Sequence, residues 1–267
     1  MISVTRRLTS AKRIVVKAGT SVLTERHGDQ LSPDRVQAIA DQVAAVHRAG
    51  REVIVVTSGA IGAGMRILGY RARPRDLPRL QAASAVGQGR LMHLYESAFA
   101  HRGFHAAQLL ITKDDLHDRR RLNVKATLTT LLAAGVIPVI NENDSVSVEE
   151  IRVGDNDQLA AHVAVLAEAQ LLILLSDVAG FYTNPDGGGA RRGVVRQVRG
   201  VTPALARLAR GSRKATSTGG MQTKLLAAKL ATAHGIPTMV VDGHGAEILT
   251  DVVVRGQNPG TIFLPEA

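Results

Sequence analysis

Arg13-Ile14-Val15-Val16-Lys17-Ala18, closed by Gly19-Thr20-Ser21, is a short β-branched run with a lysine at its end and a glycine turn behind it. A run apolar on both faces reads as a strand buried on both faces, which belongs to a parallel sheet covered by helices. The same pattern recurs outward along the chain. Strands are predicted at Arg13–Ala18, Glu52–Thr57, Ala106–Ile111, Val136–Ile140, Leu171–Leu175 and Thr238–Asp242, and Thr261–Leu264 is strand-like. Helices are predicted between them at Pro33–Ala49, Pro78–Arg102, Asp114–Ala134, Asn156–Ala167, Met221–His234 and Gly245–Arg255. Ser32-Pro33 is a helix start, and Gly50, Gly103, Gly135 and Gly235 stand where helices stop. Strands alternating with helices make an α/β fold with a largely parallel central sheet. In such sheets ligands bind beyond the carboxyl ends of the strands, so the residues after each strand carry the functional reading.

The composition narrows the chemistry. The 267 residues contain no cysteine and no tryptophan, which excludes a disulfide scaffold, thiolate metal sites and thiol catalysis. With 33 Lys+Arg against 23 Asp+Glu the formal charge is +10. Such a balance suits nucleic acid or anionic small substrates. Only four Phe and three Tyr are present, too few for the aromatic platforms that grip single strands, which argues against nucleic acid. Eight cations and no acid lie between Arg191 and Lys214, after a glycine- and proline-containing stretch at Asn184–Gly193 that reads as a surface loop. That run is expected to be a solvated basic face, with contact to an anion as the alternative. No stretch is long and apolar enough for a signal peptide or a membrane span, so a cytoplasmic protein away from membranes is expected.

Six strand-end or helix-start segments collect polar chemistry. Lys17-Ala18-Gly19-Thr20-Ser21 offers an ammonium and exposed N–H groups to a phosphate. In Thr57-Ser58-Gly59-Ala60-Ile61-Gly62-Ala63-Gly64 the glycines serve either an anion or close packing of elements. Asn141-Glu142-Asn143-Asp144 and Gly154-Asp155-Asn156-Asp157 hold more carboxylates and amides than turns require, and such groups orient ammonium ions or bind polar substrates. Ser176-Asp177 follows the fifth strand, and Thr218-Gly219-Gly220-Met221-Gln222-Thr223-Lys224 opens a helix. Lys224 there opposes the helix dipole, so an anion is expected beside it. There is no Walker A pattern, dinucleotide GxGxxG, HExxH or GxSxG motif.

Taken in order, these segments resemble the amino acid kinase family, and the paired Asn-Glu-Asn-Asp and Gly-Asp-Asn-Asp motifs resemble its glutamate 5-kinase branch. The resemblance spans nearly the whole chain. It implies a three-layer αβα sandwich, with residues 1–168 as a glutamate-binding half and 169–267 as an ATP-binding half. It implies phosphorylation of the L-glutamate γ-carboxylate by ATP with Mg²⁺, the ion held mainly through the phosphates and without a protein metal site, as the first step of proline biosynthesis. Residue by residue, it assigns Lys17 and Lys224 to the transferring phosphoryl group and Asp157 to orienting both. Ser58, Gly59, Asp144, Asn156 and Asn141 fall to the substrate, and Gly19, Ser176, Asp177, Thr218, Gly219, Gly220, Met221, Gln222 and Thr223, with the two lysines, to the nucleotide. It also implies a homo-oligomer, a dimer or tetramer, and proline as a feedback inhibitor. Ser176 stands where the branch commonly has Thr, with the hydroxyl kept. Many members continue into a C-terminal PUA domain, an RNA-binding-type module, whereas this chain stops at Ala267, so that module is expected to be absent. Other readings stay open here: an acetylglutamate or aspartate kinase of the same family, or a non-catalytic nucleotide or nucleic-acid binder.

Overall fold

A computed structural model describes residues 3–25, 30–146, 155–182, 193–202, 205 and 220–266, with the backbone alone at Asp155. Eight strands form one sheet: β1 (Arg13–Ala18), β2 (Glu52–Val56), β3 (Ala106–Ile111), β4 (Ile137–Glu142), β5 (Leu171–Ser176), β6 (Gln197–Arg199), β7 (Thr238–Asp242) and β8 (Thr261–Leu264). Their order across the sheet is β3-β4-β2-β1-β5-β7-β8-β6. All neighbours are parallel except β7 and β8, which run antiparallel. The helices are α1 (Val4–Ser10), α2 (Thr20–Leu23), α3 (Pro33–Arg48), α4 (Ala60–Ile67), α5 (Leu77–Ala100), α6 (Asp118–Ala133), α7 (Asp155–Leu166), α8 (Met221–Ala233) and α9 (Ile248–Val253).

Strand parity sorts the core into two layers, because alternate side chains point to opposite faces. Ile14, Val16, Val53, Val55, Ile137, Val139, Leu171 and Ile173 pack with Val43 of α3, Leu91 and Tyr95 of α5 and Leu249 of α9. Val15, Ile54, Val56, Ile140, Leu172 and Leu174 pack instead with Leu128 of α6, Ala160 and Val163 of α7 and Ala228 of α8. The result is the expected αβα sandwich. Lys17 shares the parity of Val15, so it faces the layer of α7 and α8. Asn141 shares the parity of Val139 and faces the layer of α5. The connection reverses direction at β1, which has β2 on one side and β5 on the other. The crevice beyond their carboxyl ends is where a ligand fits in this topology.

The six strands predicted between helices lie within two residues of their predicted bounds, although β3 is a half-buried edge strand, and the glycines expected to stop helices at 50, 103, 135 and 235 all have positive φ. Departures have local causes. The helix predicted from Asp114 is broken at His117, because Asp115 turns back to accept from the Thr112 amide and hydroxyl at 2.8 and 2.7 Å. The last predicted helix is shorter, Ile248–Val253, since Asp242 holds a turn through the His244 amide at 2.9 Å. The helix α1, capped by Ser3, and the edge strand β6 carry too few periodic apolar residues to be read in sequence. Most of the basic run from Arg191 to Lys214 lies outside the described residues.

Candidate active site

Lys17 ends the central strand and is 4% exposed. Its Nζ lies 2.8 Å from Oδ1 of Asp157, a residue of the first turn of α7 with no exposed surface. From the first turn of α8, Lys224 brings its Nζ to 3.4 Å from the other oxygen, Oδ2. The Thr223 hydroxyl sits 2.7 Å from the same Oδ2. One carboxylate therefore holds two buried ammonium groups from two different elements. Burial opposes ionisation of Asp157, but Lys17 and Lys224 overcome it and hold the carboxyl below the usual range. Burial also pulls Lys224 below the ordinary lysine value, with Asp157 resisting and Lys17 adding to the fall. The cluster carries one net positive charge in a site sheltered from water, a setting in which a phosphate stabilises both ammonium groups.

Gly19 and Gly59 shape the backbone on either side. A Cβ on Gly19 would stand 2.9 Å from Lys17 Nζ, so only glycine leaves that ammonium its place. Gly59 adopts φ +103, a left-handed turn that starts α4. Gly64 answers to packing instead: a Cβ there would stand 1.7 Å from the Ala83 carbonyl oxygen of α5, so α4 and α5 meet backbone to backbone.

The other end of the site is built from neutral amides. Consecutive helical residues diverge by about 100°, so Asn156 turns away from the lysines that its neighbour Asp157 holds. Its Nδ2 lies 2.6 Å from the Thr57 carbonyl, 2.8 Å from Ser58 Oγ and 3.0 Å from Asn141 Oδ1. Asn141 Nδ2 donates to Gln88 Oε1 of α5 at 2.9 Å. One turn earlier on α5, Ser84 donates to Asp144 Oδ2 at 3.3 Å. Beneath them, the Thr57 and Tyr95 hydroxyls meet at 3.0 Å, and burial raises the Tyr95 phenol to about 12, so it stays neutral.

Comparison with known proteins places the chain in a family. Residues 12–242 match the model of the amino acid kinase family. A glutamate 5-kinase of Geobacter sulfurreducens is 49% identical, with 97% of this chain and 69% of that protein covered. Glutamate 5-kinases of Moorella thermoacetica and Thermus thermophilus are both 48% identical, covering 97% and 95% of this chain and 68% of each relative. The chain belongs to the amino acid kinase family. A crystal structure of a UMP kinase from Bacillus anthracis superposes with a TM-score of 0.64 over 96% of this chain and 97% of that one; at 15% identity the likeness is one of fold.

In this amino acid kinase the carboxyl edge of the sheet gathers Lys17, Asp157 and Lys224 at one end and Ser58, Asn141, Asn156 and Asp144 at the other. Ser176 is 2% exposed at the end of β5, with its hydroxyl 3.4 Å from Asp177 Oδ1. Gly220, Met221 and Gln222 form the start of α8. Thr218 and Gly219 lie outside the described residues, as does Gly154. The sequence reading missed the second layer: Thr57 by its carbonyl, Tyr95, Ser84 and Gln88. Ser84 and Gln88 stand four apart in the small-residue stretch Ala82–Gly89 of a long helix. A polar pair on one face of a buried helix was the available signal.

Proposed function

We propose that this protein phosphorylates the γ-carboxylate of L-glutamate with ATP, giving L-glutamyl 5-phosphate and ADP, the first step of proline biosynthesis. The observation that carries the reading is the buried Lys17–Asp157–Lys224 cluster beyond the central strands, and the glutamate 5-kinase relatives at nearly half identity support the choice of substrate. The two halves of the chain divide the work: residues 1–168 bind glutamate and 169–267 bind ATP.

The chemistry asks little of the protein beyond position and charge. A γ-carboxylate is ionised at neutral pH, so no base has to remove a proton. One of its oxygens attacks the γ-phosphorus; the new O–P bond forms as the bond from phosphorus to the bridging oxygen breaks, and that electron pair leaves with ADP. Lys17 and Lys224 neutralise the charge that spreads over the phosphoryl oxygens, and Asp157 fixes the distance between them. Asp144 receives the α-ammonium group, while Ser58, Gly59, Asn156 and Asn141 orient the substrate. Gly19, Ser176, Asp177 and the sequence segment from Thr218 to Thr223 hold the nucleotide. Both Asp157 oxygens face ammonium groups, so Asp157 is no metal ligand. Among the described residues no three His, Asp or Glu gather as a metal cluster. We read Mg²⁺ as held mainly through the ATP phosphates, where it would add charge neutralisation.

No helix among the described residues is long and apolar enough to cross a membrane, and we assign the protein to the cytoplasm as a homo-oligomer with proline as a feedback inhibitor. A panel of L-glutamate, N-acetylglutamate, L-aspartate and UMP, scored by ADP release with and without proline, tests the reading. Hydroxylamine trapping of an acyl phosphate with L-glutamate is expected. Turnover confined to another member of the panel overturns it.

A further inference from the structure

Among the described residues, two buried side-chain atoms at the site have no hydrogen-bond partner, Asp157 Oδ1 and Gln88 Nε2. Asp157 Oδ1 has the Lys17 ammonium 2.8 Å away as its counter-charge. Gln88 Nε2 has nothing comparable, although the residue is only 6% exposed.

The orientation of this amide is forced. The backbone N–H of Glu142 donates to Asn141 Oδ1 at 2.9 Å, and a backbone N–H can only donate. Asn141 must therefore present its oxygen there and to Asn156, and its NH₂ group to Gln88 at 2.9 Å. Gln88 in turn must present its oxygen to Asn141. Turning the Gln88 amide would set donor against donor, so the Nε2 protons are left for another acceptor. A buried donor without a partner is unfavourable, and native structures resolve it with a ligand or an ordered water.

We propose that Gln88 is a substrate-binding residue whose Nε2 donates to the α-carboxylate of the amino-acid substrate; this rests on the reading of the site as a glutamate kinase. Position selects that end of the substrate. Asn141 on β4 and Lys17 on β1 are separated by β2, a distance of about 10 Å at the usual strand spacing. The γ-carboxylate has to reach the lysines, so the donor on the β4 side meets the opposite end. Ser84, one turn before Gln88, contacts Asp144, the residue assigned to the α-ammonium, so both α-substituents meet the same face of α5. A neutral amide holds the α-carboxylate without adding a third cation that would draw the substrate in backwards.

Gln88→Glu tests this. The variant keeps an oxygen for Asn141 and replaces the donor with a carboxylate oxygen. KM for L-glutamate is expected to rise about tenfold or more, the size of a lost hydrogen bond plus charge repulsion, while KM for ATP holds. Isoglutamine, which has an α-carboxamide and an intact γ-carboxylate, is expected to gain on L-glutamate by about tenfold in relative kcat/KM. Unchanged KM and selectivity in a folded variant overturn the proposal. Should Gln88→Glu not fold, Gln88→Met is read the same way, and loss of folding in both assigns Gln88 to the core and also overturns it. Wild-type failure on L-glutamate sinks the kinase reading itself. Wild-type turnover with an indifferent Gln88→Glu sinks only this inference.

Discussion

The two ends of the site are built on opposite principles. At the β1 end, Asp157 holds Lys17 and Lys224 through full charges in a region closed to water. At the β4 end, Asn156, Asn141 and Gln88 pass single neutral hydrogen bonds from one amide to the next. Charge acts strongly at short range in a low dielectric but has little direction, which suits an anion whose charge moves during reaction. Amides carry a donor and an acceptor at fixed angles, which suits a substrate that must lie one way round. One helix serves both ends, since adjacent residues of its first turn point to each.

The contrast should appear in variants, and its largest break is Asp157→Asn. This leaves two buried ammonium groups without their counter-charge, and breaking a buried ion pair on one side costs about 3–5 kcal/mol. A clear fall in Tm is expected together with the deepest loss of kcat; wild-type Tm and turnover would deny Asp157 its role. Lys17→Ala and Lys224→Ala come next, each expected to lower kcat by about 10²-fold or more with KM for glutamate nearly kept. Steady-state kinetics with both substrates varied separates the two parameters. At the amide end Asn156→Ala is expected to do the reverse, raising KM for glutamate about tenfold, in line with one or two lost hydrogen bonds, with a smaller effect on kcat. Equal kcat and KM signatures at both ends would erase the distinction.

The smallest effect sharpens the comparison through pH. Lys224 titrates below the ordinary lysine value because it is buried, so kcat/KM should fall on the alkaline side before that value is reached. Asp157 opposes this shift, so in Asp157→Asn the alkaline limb should move further toward neutrality. On the acid side Asp157 stays ionised through the ordinary carboxylate range. Its contribution to stability is present above the unfolded value of about 3.9 and is lost only as pH falls through the lower folded value. The amides of Asn156 and Asn141 do not titrate, so Asn156→Ala should keep the wild-type pH profile.

Much of this was legible in the chain. Val15-Val16-Lys17 and Leu171–Leu175 read as buried strands because no solvated face could accept them, and the alternation with helices made the sheet parallel. Lys17 and Asn141 stood out because polar residues at the ends of buried strands need a reason, Asn156 and Asp157 because their cluster holds more amides and carboxylates than a turn requires, and Lys224 because it opposes a helix dipole. The glycine-rich segment after β2 was ambiguous for a physical cause: Gly59 serves a left-handed turn and Gly64 serves contact with α5, a helix that begins thirteen residues later.

Sequence alone determined a parallel sheet covered by helices, the strand ends where polar residues collect and the residue types gathered there, since these follow from periodicity and strand ends. Tertiary structure decided which groups share a partner. That Asp157 serves two lysines depends on β1, α7 and α8 meeting at one point. That Gln88 is left with an unused donor depends on α5 lying against Asn141. Hydrogen bonds and ion pairs are set by distances of a few ångströms between segments far apart in the chain, and local pattern carries no record of those distances.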